Sequence, residues 1–237
     1  MNNRKRVRGR DQPASTGHGL LLFVVLVPLL VYGQSLQYDY VQADDADLIL
    51  KNRLFISQLE NIPNTFTRSY FEVDGELNDQ KTYYRPLVIS SLILDTQLGS
   101  GAATVYHATN VAMHALVVFL LYSLLTAMQA DRRVAGACAL LFAVHPVNVQ
   151  AVCWIVGRND LLLAVWVLTA MLSLIRFSRT NATTALLGHL IAFALALFTK
   201  ESAIMMLPLF VLFAWLWVGQ SSFYLRHRSV LLGYGVI

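Results

Sequence analysis

Six apolar segments alternate with polar segments along the 237-residue chain. The apolar segments are residues 17–33, 102–128, 134–156, 161–176, 184–199 and 203–218. A helix needs about 20 apolar residues to cross the hydrocarbon core of a bilayer, and the shorter segments are near the lower limit of that range. The pattern therefore predicts an all-α, polytopic transmembrane helical bundle of about six spans. A seventh apolar run starts at residue 229 and stops at residue 237, which suggests a truncated chain.

Composition agrees with a membrane protein. Hydrophobic residues make up 56% of the chain and charged residues only 14%, against about 25% charged residues in soluble domains. The net charge of +4 comes from basic residues at the ends of the apolar segments, with no continuous basic face. That distribution indicates membrane topology and argues against a nucleic-acid partner.

The charges also predict an orientation. If residues 1–16 form a basic cytoplasmic tail, the cytoplasmic pieces hold eleven Lys and Arg residues and two acids, and the other side holds seven and twelve. Short cytoplasmic loops rich in Lys and Arg are what the positive-inside rule requires. We therefore predict a domain over residues 17–237 with its N-terminus in the cytoplasm, in a bacterial inner membrane or an endoplasmic reticulum membrane. The first apolar segment is either a retained signal anchor, which we prefer, or a cleaved signal peptide, and residues 34–101 lie outside the cytoplasm in both cases.

The external segment 34–101 is acidic but contains apolar and aromatic patches. Such patches predict short helices in the membrane interface. Asp44 and Asp45 follow the first apolar segment directly, and they are the candidate reactive carboxylates in this segment.

Polar residues that a membrane disfavours collect at the predicted non-cytoplasmic ends of the helices. They are Arg85, His107, His145, Arg158, Asp160, Lys200 and Glu201. Their convergence on the side of Asp44 and Asp45 suggests a site at the membrane surface. Simpler roles stay open: His107, Asn110 and His114 share a helix face and could bond between helices, Lys200 could neutralise Glu201, and Arg158 could neutralise Asp160. No cofactor is indicated with certainty, and no His and carboxylate spacing demands a divalent metal.

Four motifs, in order, resemble the GT-C class of membrane glycosyltransferases that use lipid-linked sugars. The resemblance is strongest to the protein O-mannosyltransferase-like branch, whose members often carry tetratricopeptide repeats. The motifs begin at Asp44 (DDADLILKN), at Tyr84 (YRP), at His107 (HATNVAMH) and at His145 (HPVNVQAVCW, followed by GRNDL), and Lys200-Glu201 extends the match. The match runs from residue 41 to residue 217. Such enzymes have more spans and a repeat domain, so this resemblance implies the N-terminal part of a larger enzyme.

The resemblance implies transfer of a mannose-like sugar from a polyprenyl or dolichyl phosphate to a hydroxyl of a protein Ser or Thr or of a glycan. Asp44 or Asp45 would take the acceptor proton. Arg85, Arg158 and Lys200 would face the lipid phosphate, and His145 would hydrogen-bond the sugar or the phosphate. His107, Asn110, Asp160 and Glu201 would support the site. The implied partners are the lipid-linked donor, the protein or glycan acceptor and membrane lipids.

Two other functions fit the sequence. In a non-catalytic scaffold or assembly subunit, the polar clusters would only lock helices together. In a lipid transporter, charged residues would lie near the middle of the membrane, whereas here they collect at one face.

Overall fold

The computed structural model describes residues 16–42, 44–72, 83–218, 230 and 233–235, and these residues form helices and turns without a strand. The prediction of an all-α bundle is confirmed. The helices are α1 (Thr16–Tyr32), α2 (Arg53–Ile56), α3 (Pro86–Gly99), α4 (Ala103–Ala127), α5 (Arg132–Val144), α6 (Val149–Cys153), α7 (Arg158–Thr180), α8 (Thr183–Leu197) and α9 (Met206–Val218). The basic tail before Thr16 and most of the seventh apolar run lie outside the described residues.

Among the described helices, three are long and apolar enough to cross a membrane by themselves. They comprise residues Gly19–Gln37, Ala103–Ala127 and Ile155–Thr180. A membrane protein is therefore indicated by length and composition. Helices α3 and α8 are apolar but shorter, and the first of them lies inside the segment that the sequence predicts as an external loop.

The predicted single span over residues 134–156 is wrong as one straight helix. Its two halves, Arg132–Val144 and Pro146–Cys153, are bent by 49°. The break falls at His145, whose backbone is extended (φ −67°, ψ 130°), because a proline disfavours the helical conformation in the residue before it.

Helix α4 is the centre of the bundle and packs against α1, α3, α5, α6 and α7. Small residues line its contact with α5, where Ala135, Ala139 and Ala143 are fully buried. Small side chains let helix backbones approach closely, which is the usual basis of helix packing in membranes. Helix α8 packs along α7 on the opposite side of the bundle.

Residues 44–72 fold onto this bundle as a compact cap. Leu48, Ile56 and Tyr70 are buried against Leu92 of α3 and Ile155 ahead of α7, in one apolar cluster. A buried hydrogen bond of 3.0 Å between the Thr65 and Ser90 hydroxyls also joins the cap to α3. The interfacial elements predicted in the external segment are therefore short helical turns packed on protein, and they hold the acidic pair over the ends of α3 and α7.

Candidate active site

A cavity of about 320 Å³ lies between the cap and the helix ends. It is lined by Asp44, Phe71, Tyr83, Arg85, Gln150, Trp154, Gly157, Asn159, Asp160 and Lys200. Four of the residues singled out from the sequence are among them, namely Asp44, Arg85, Asp160 and Lys200. Four separate stretches of chain thus contribute the charged groups of one cavity.

The structure separates the two neighbouring acids. Asp44 is half-buried and lines the cavity. Asp45 is fully buried, and its Oδ2 accepts a hydrogen bond of 3.0 Å from the backbone N–H of Val41. Burial raises the pKa of Asp45, and the hydrogen bond from the Val41 backbone N–H opposes that rise. Asp44 is therefore the acid in position to meet a ligand, and Asp45 holds the turn that presents it.

Arg85 is held rigidly at the start of α3. Its Nη2 and Nε donate to the two carboxylate oxygens of Glu201 at 2.7 and 3.1 Å. Its guanidinium also lies over the rings of Tyr70 and Tyr83, at 5.1 and 4.7 Å from their centroids. The hydrogen bonds from Arg85 lower the pKa of Glu201. The two hydrogen bonds to Glu201 fix the plane of the Arg85 guanidinium. One face of this plane lies toward the aromatic rings, and one edge lies beside the cavity.

Lys200 pairs with Asp160 across the cavity, with 2.5 Å between Nζ and Oδ1. Both side chains line the cavity. The simple pairings that the sequence left open, Lys200 with Glu201 and Arg158 with Asp160, are not the ion pairs found in the described part of the chain. Instead, each charge is paired with a residue distant in sequence, so the ion pairs join α3, α7 and the turn that follows α8.

Arg158 does not line the cavity. Its side chain is 0% exposed and forms an ion pair of 2.7 Å with Asp95 of α3. It also donates to the Ser91 hydroxyl at 3.2 Å and to the Tyr106 carbonyl at 3.0 Å. Arg158 therefore ties the start of α7 to α3 and α4, and it positions the adjoining residues that do line the cavity.

The polar residues Asn110 and His114 of α4 form hydrogen bonds with the neighbouring segment, in which a bend separates α5 from α6. The Asn110 Nδ2 lies 2.9 to 3.3 Å from the carbonyl oxygens of Val152, Trp154 and Ile155, at the end of α6 and in the turn that follows it. His114 Nε2 lies 3.0 Å from the Ala143 carbonyl, at the end of α5. These contacts are hydrogen bonds between helices, and they fix the backbone from which Trp154 projects.

The remaining histidines also lie away from the cavity. His107 is buried on α4, with its ring edge-on to Tyr38 at 6.2 Å between centroids. His145 is exposed, and its Nδ1 accepts a hydrogen bond of 3.2 Å from the Val147 N–H, which caps the turn after α5. Neither imidazole lines the cavity that Asp44 lines.

The uncharged wall of the cavity was not predicted from the sequence. It consists of Phe71, Tyr83, Gln150, Trp154, Gly157 and Asn159. Trp154, Gly157 and Asn159 belong to the motif that begins at His145. In the sequence, only the charged residues and the histidine of this motif indicated a chemical role. Gly157 has a clear packing reason, because a Cβ there would lie 2.4 Å from the Gln150 carbonyl oxygen. Only glycine lets the chain pass so close to α6.

Within the residues that the structure describes, no three His, Cys, Asp or Glu side chains are grouped to hold an ion. The two cations that line the cavity are each paired with a carboxylate, Arg85 with Glu201 and Lys200 with Asp160.

Comparison with known proteins adds a relationship to this geometry. The human protein O-mannosyl-transferase TMTC1 (Homo sapiens) is 34% identical over 145 residues, which is 61% of this chain and 16% of that protein. The mouse protein O-mannosyl-transferase TMTC4 (Mus musculus) is 26% identical over 232 residues, 89% of this chain and 31% of that protein. A protein O-mannosyl-transferase of Caenorhabditis elegans is 25% identical over 205 residues, 84% of this chain and 28% of that protein.

No family model matches the chain, and no solved structure matches it significantly. The chain is related to proteins named as O-mannosyl-transferases. It spans between 16% and 31% of the length of these three relatives.

Proposed function

We propose that this chain, as a relative of the protein O-mannosyl-transferases, forms the donor-binding and catalytic part of a membrane glycosyltransferase. The reaction is transfer of a mannose-like sugar from a polyprenyl or dolichyl phosphate to a hydroxyl group of a protein or a glycan. The observation that carries the proposal is the cavity that brings the Asp44 carboxylate together with the cations of Arg85 and Lys200.

Asp44 acts as the general base. It takes the proton of the acceptor hydroxyl while the hydroxyl oxygen bonds to the anomeric carbon of the sugar. The bond from that carbon to the phosphate oxygen breaks, and the lipid phosphate leaves with the electron pair. A carboxylate at the cavity wall suits this task, because it can accept a proton from the acceptor hydroxyl.

Arg85 and Lys200 stabilise the departing phosphate. Negative charge on its oxygens grows as the bond to the sugar breaks, and fixed cations lower the energy of that state. Arg85 needs no reorganisation, since Glu201 and two aromatic rings already hold it. The cavity also lies at the first residues of α7, where the positive end of the helix dipole favours an anion.

The other residues predicted from the sequence have positioning roles in this proposal. Asp160 and Glu201 orient the two cations, Arg158 and Asn110 fix the backbone of residues 152–158, and His107 and His145 belong to the helix framework. The donor tail lies in the bilayer, and the reaction takes place on the non-cytoplasmic side of a bacterial inner membrane or an endoplasmic reticulum membrane.

A scaffold function receives support from one observation, because Asn110 and His114 do bond between helices. Helix locking does not account for the charged cavity, and so the cavity distinguishes the two functions. Substitutions inside the cavity should leave a scaffold intact and abolish a transferase.

The test is a transfer assay with the full-length protein in membranes, using radiolabelled mannosyl phosphate lipids. Asp44→Asn should lower the transfer rate by about 100- to 10,000-fold, the usual contribution of a general base. Asp47→Asn is the matched control, since Asp47 lies in the same turn and pairs with Lys51 at 2.6 Å without lining the cavity.

Both variants should insert and fold as the unchanged protein does. Normal transfer by Asp44→Asn would contradict the base assignment. Absence of transfer by the unchanged protein from every lipid-phosphate sugar would contradict the proposed function.

A further inference from the structure

The cavity has a second wall whose residues take no part in acid–base chemistry or phosphate binding. It consists of Gln150, Trp154 and Asn159, on the stretch of chain that runs from α6 into α7. Polar groups of this kind, without charge, are suited to the hydroxyl groups of a neutral ligand. The aromatic ring of Trp154 adds an apolar surface to them.

Asn159 is the most informative residue of this wall. Its side chain is 8% exposed and lines the cavity, yet its Oδ1 has no hydrogen-bond partner among the described residues. A buried acceptor without a donor destabilises the folded protein. A ligand hydroxyl in the cavity would donate to this oxygen and remove that penalty.

Trp154 is held in place by its backbone. Its carbonyl oxygen accepts hydrogen bonds from Asn110 Nδ2 at 2.9 Å and from the Gly157 N–H at 3.0 Å. The residue is partly buried and lines the cavity. A flat aromatic face beside a few convergent polar groups is the usual construction of a small-molecule site.

The volume and the neighbouring charges restrict the ligand. A cavity of about 320 Å³ is at the lower end of the range for ligand pockets, which is about 300–1,000 Å³. Asn159 directly precedes Asp160, whose partner Lys200 is one of the two cations at the cavity. A single sugar ring on this wall would have its phosphate beside Lys200.

We propose that Asn159, with Trp154 and Gln150, forms the subsite that binds the hexose ring of the donor and selects which hexose is transferred. Asn159 accepts a hydrogen bond from one ring hydroxyl, and Trp154 packs against the apolar face of the ring. This inference rests on the proposed function and assigns substrate selection to residues outside its catalytic and phosphate-binding groups.

The experiment compares the full-length protein with Asn159→Leu and Asn159→Asp. Leucine has a similar size and no acceptor, whereas aspartate keeps an acceptor oxygen. Each protein is assayed with mannosyl phosphate lipid and with donors that each lack one ring hydroxyl. We expect Asn159→Leu to lower kcat/KM for the intact donor by about 10- to 100-fold, since a site built around a substrate hydroxyl loses discrimination when its partner is removed.

One deoxy donor should be insensitive to the Asn159→Leu change, because the hydroxyl that Asn159 binds is already missing from it. Asn159→Asp should recover part of the preference for the intact donor. Binding of a polyprenyl phosphate without sugar should be unchanged in all variants. Asn148→Leu is the control for a structural effect, because Asn148 lies in the neighbouring turn and donates to the Phe142 carbonyl at 2.6 Å.

The outcomes separate the two proposals. If Asn159→Leu slows transfer from every donor equally, or leaves all of them unchanged, the hexose subsite is wrong while the transferase function stands. If the unchanged protein transfers no sugar from any donor, the transferase function itself fails.

Discussion

Asp44 and Asp45 are adjacent in sequence and differ completely in surroundings. Asp45 is buried and accepts the Val41 N–H, whereas Asp44 lines the cavity. A buried carboxylate tends to lose its charge, because the protein interior solvates a charge less well than water does. The pair therefore divides into a carboxylate that lines the cavity and one that is buried in the turn.

The burial of Asp45 predicts a pH dependence of stability. Its folded-state pKa is raised, so the folded protein binds the proton more tightly than the unfolded chain does. The stability from this group is fully present below the unfolded pKa, about 4, and is lost as the pH rises through the folded pKa. Asp45→Asn, which keeps an oxygen to accept the Val41 N–H, should therefore melt at a higher temperature than the unchanged protein near neutral pH.

The difference in melting temperature should shrink toward pH 4, where Asp45 becomes protonated in both states. Thermal unfolding of the purified proteins in detergent, followed across this pH range, measures it. A variant that melts below the unchanged protein at neutral pH would mean that hydrogen bonds to the Asp45 carboxylate outweigh its burial.

The helices that matter most for the site are the interrupted ones. The chain leaves α5 at His145, forms the short α6 and turns again through Ile155–Gly157 before α7 begins. Breaks between helices leave some backbone carbonyls short of partners, and the Asn110 Nδ2 of α4 lies within 3.3 Å of three carbonyl oxygens at this break. This break brings Gln150, Trp154 and Asn159 to one wall of the cavity.

Gly157 is the residue on which this arrangement depends. In Gly157→Ala the new Cβ would lie 2.4 Å from the Gln150 carbonyl oxygen and 3.0 Å from Ala151 Cα, both backbone atoms that move only with the helix. We expect a loss of about 1–3 kcal/mol in the free energy of unfolding, the usual range for overpacking, and a lower transfer rate because Trp154 shifts.

Gly33→Ala is the matched control, since nothing lies within 4 Å of the methyl group that alanine adds at this position. Thermal melts and transfer rates of both variants in the same detergent make the comparison. Equal stability of Gly157→Ala and Gly33→Ala would show that α6 moves freely and that the close approach is not needed.

The charged groups of the cavity lie together at one end of the bundle. Arg85, Asp160 and Lys200 come from three different elements, and the cap at residues 44–72 covers them. This end of the bundle faces one side of the membrane. In the proposed function, the orientation of the bundle therefore determines from which side an acceptor reaches the cavity.

Orientation can be measured with glycosylation reporters. Gln80→Thr creates an Asn-x-Thr acceptor sequence that starts at Asn78 in the external segment, while Asn181-Ala-Thr183 is already present between α7 and α8. With the N-terminus in the cytoplasm, the new site should be glycosylated in endoplasmic reticulum membranes and Asn181 should not. A glycan on Asn181, or none at Asn78, would reverse the orientation and the side of the reaction.

Much of the architecture could be predicted from the sequence, because apolar length and charge asymmetry are local properties. Apolar segments indicated helices near α1, α4, α7 and α8, and the motif residues marked the helix ends that meet at the cavity. The sequence indicated His145-Pro146 as a possible helix end, but it did not predict that the chain continues beyond it after a 49° bend. Helix α3 was missed as an element because it lies within a segment that is acidic overall.

The choice of partners could only come from the tertiary structure. Lys200 is adjacent to Glu201 in the sequence but forms its ion pair with Asp160. Arg158 is two residues from Asp160 but forms its ion pair with Asp95. These contacts depend on how α3, α7 and the turn after α8 pack together, which no local pattern encodes. For the same reason the sequence determined a membrane bundle with acids and cations at one end, while packing decided that Asp44 faces the cavity and Asp45 does not.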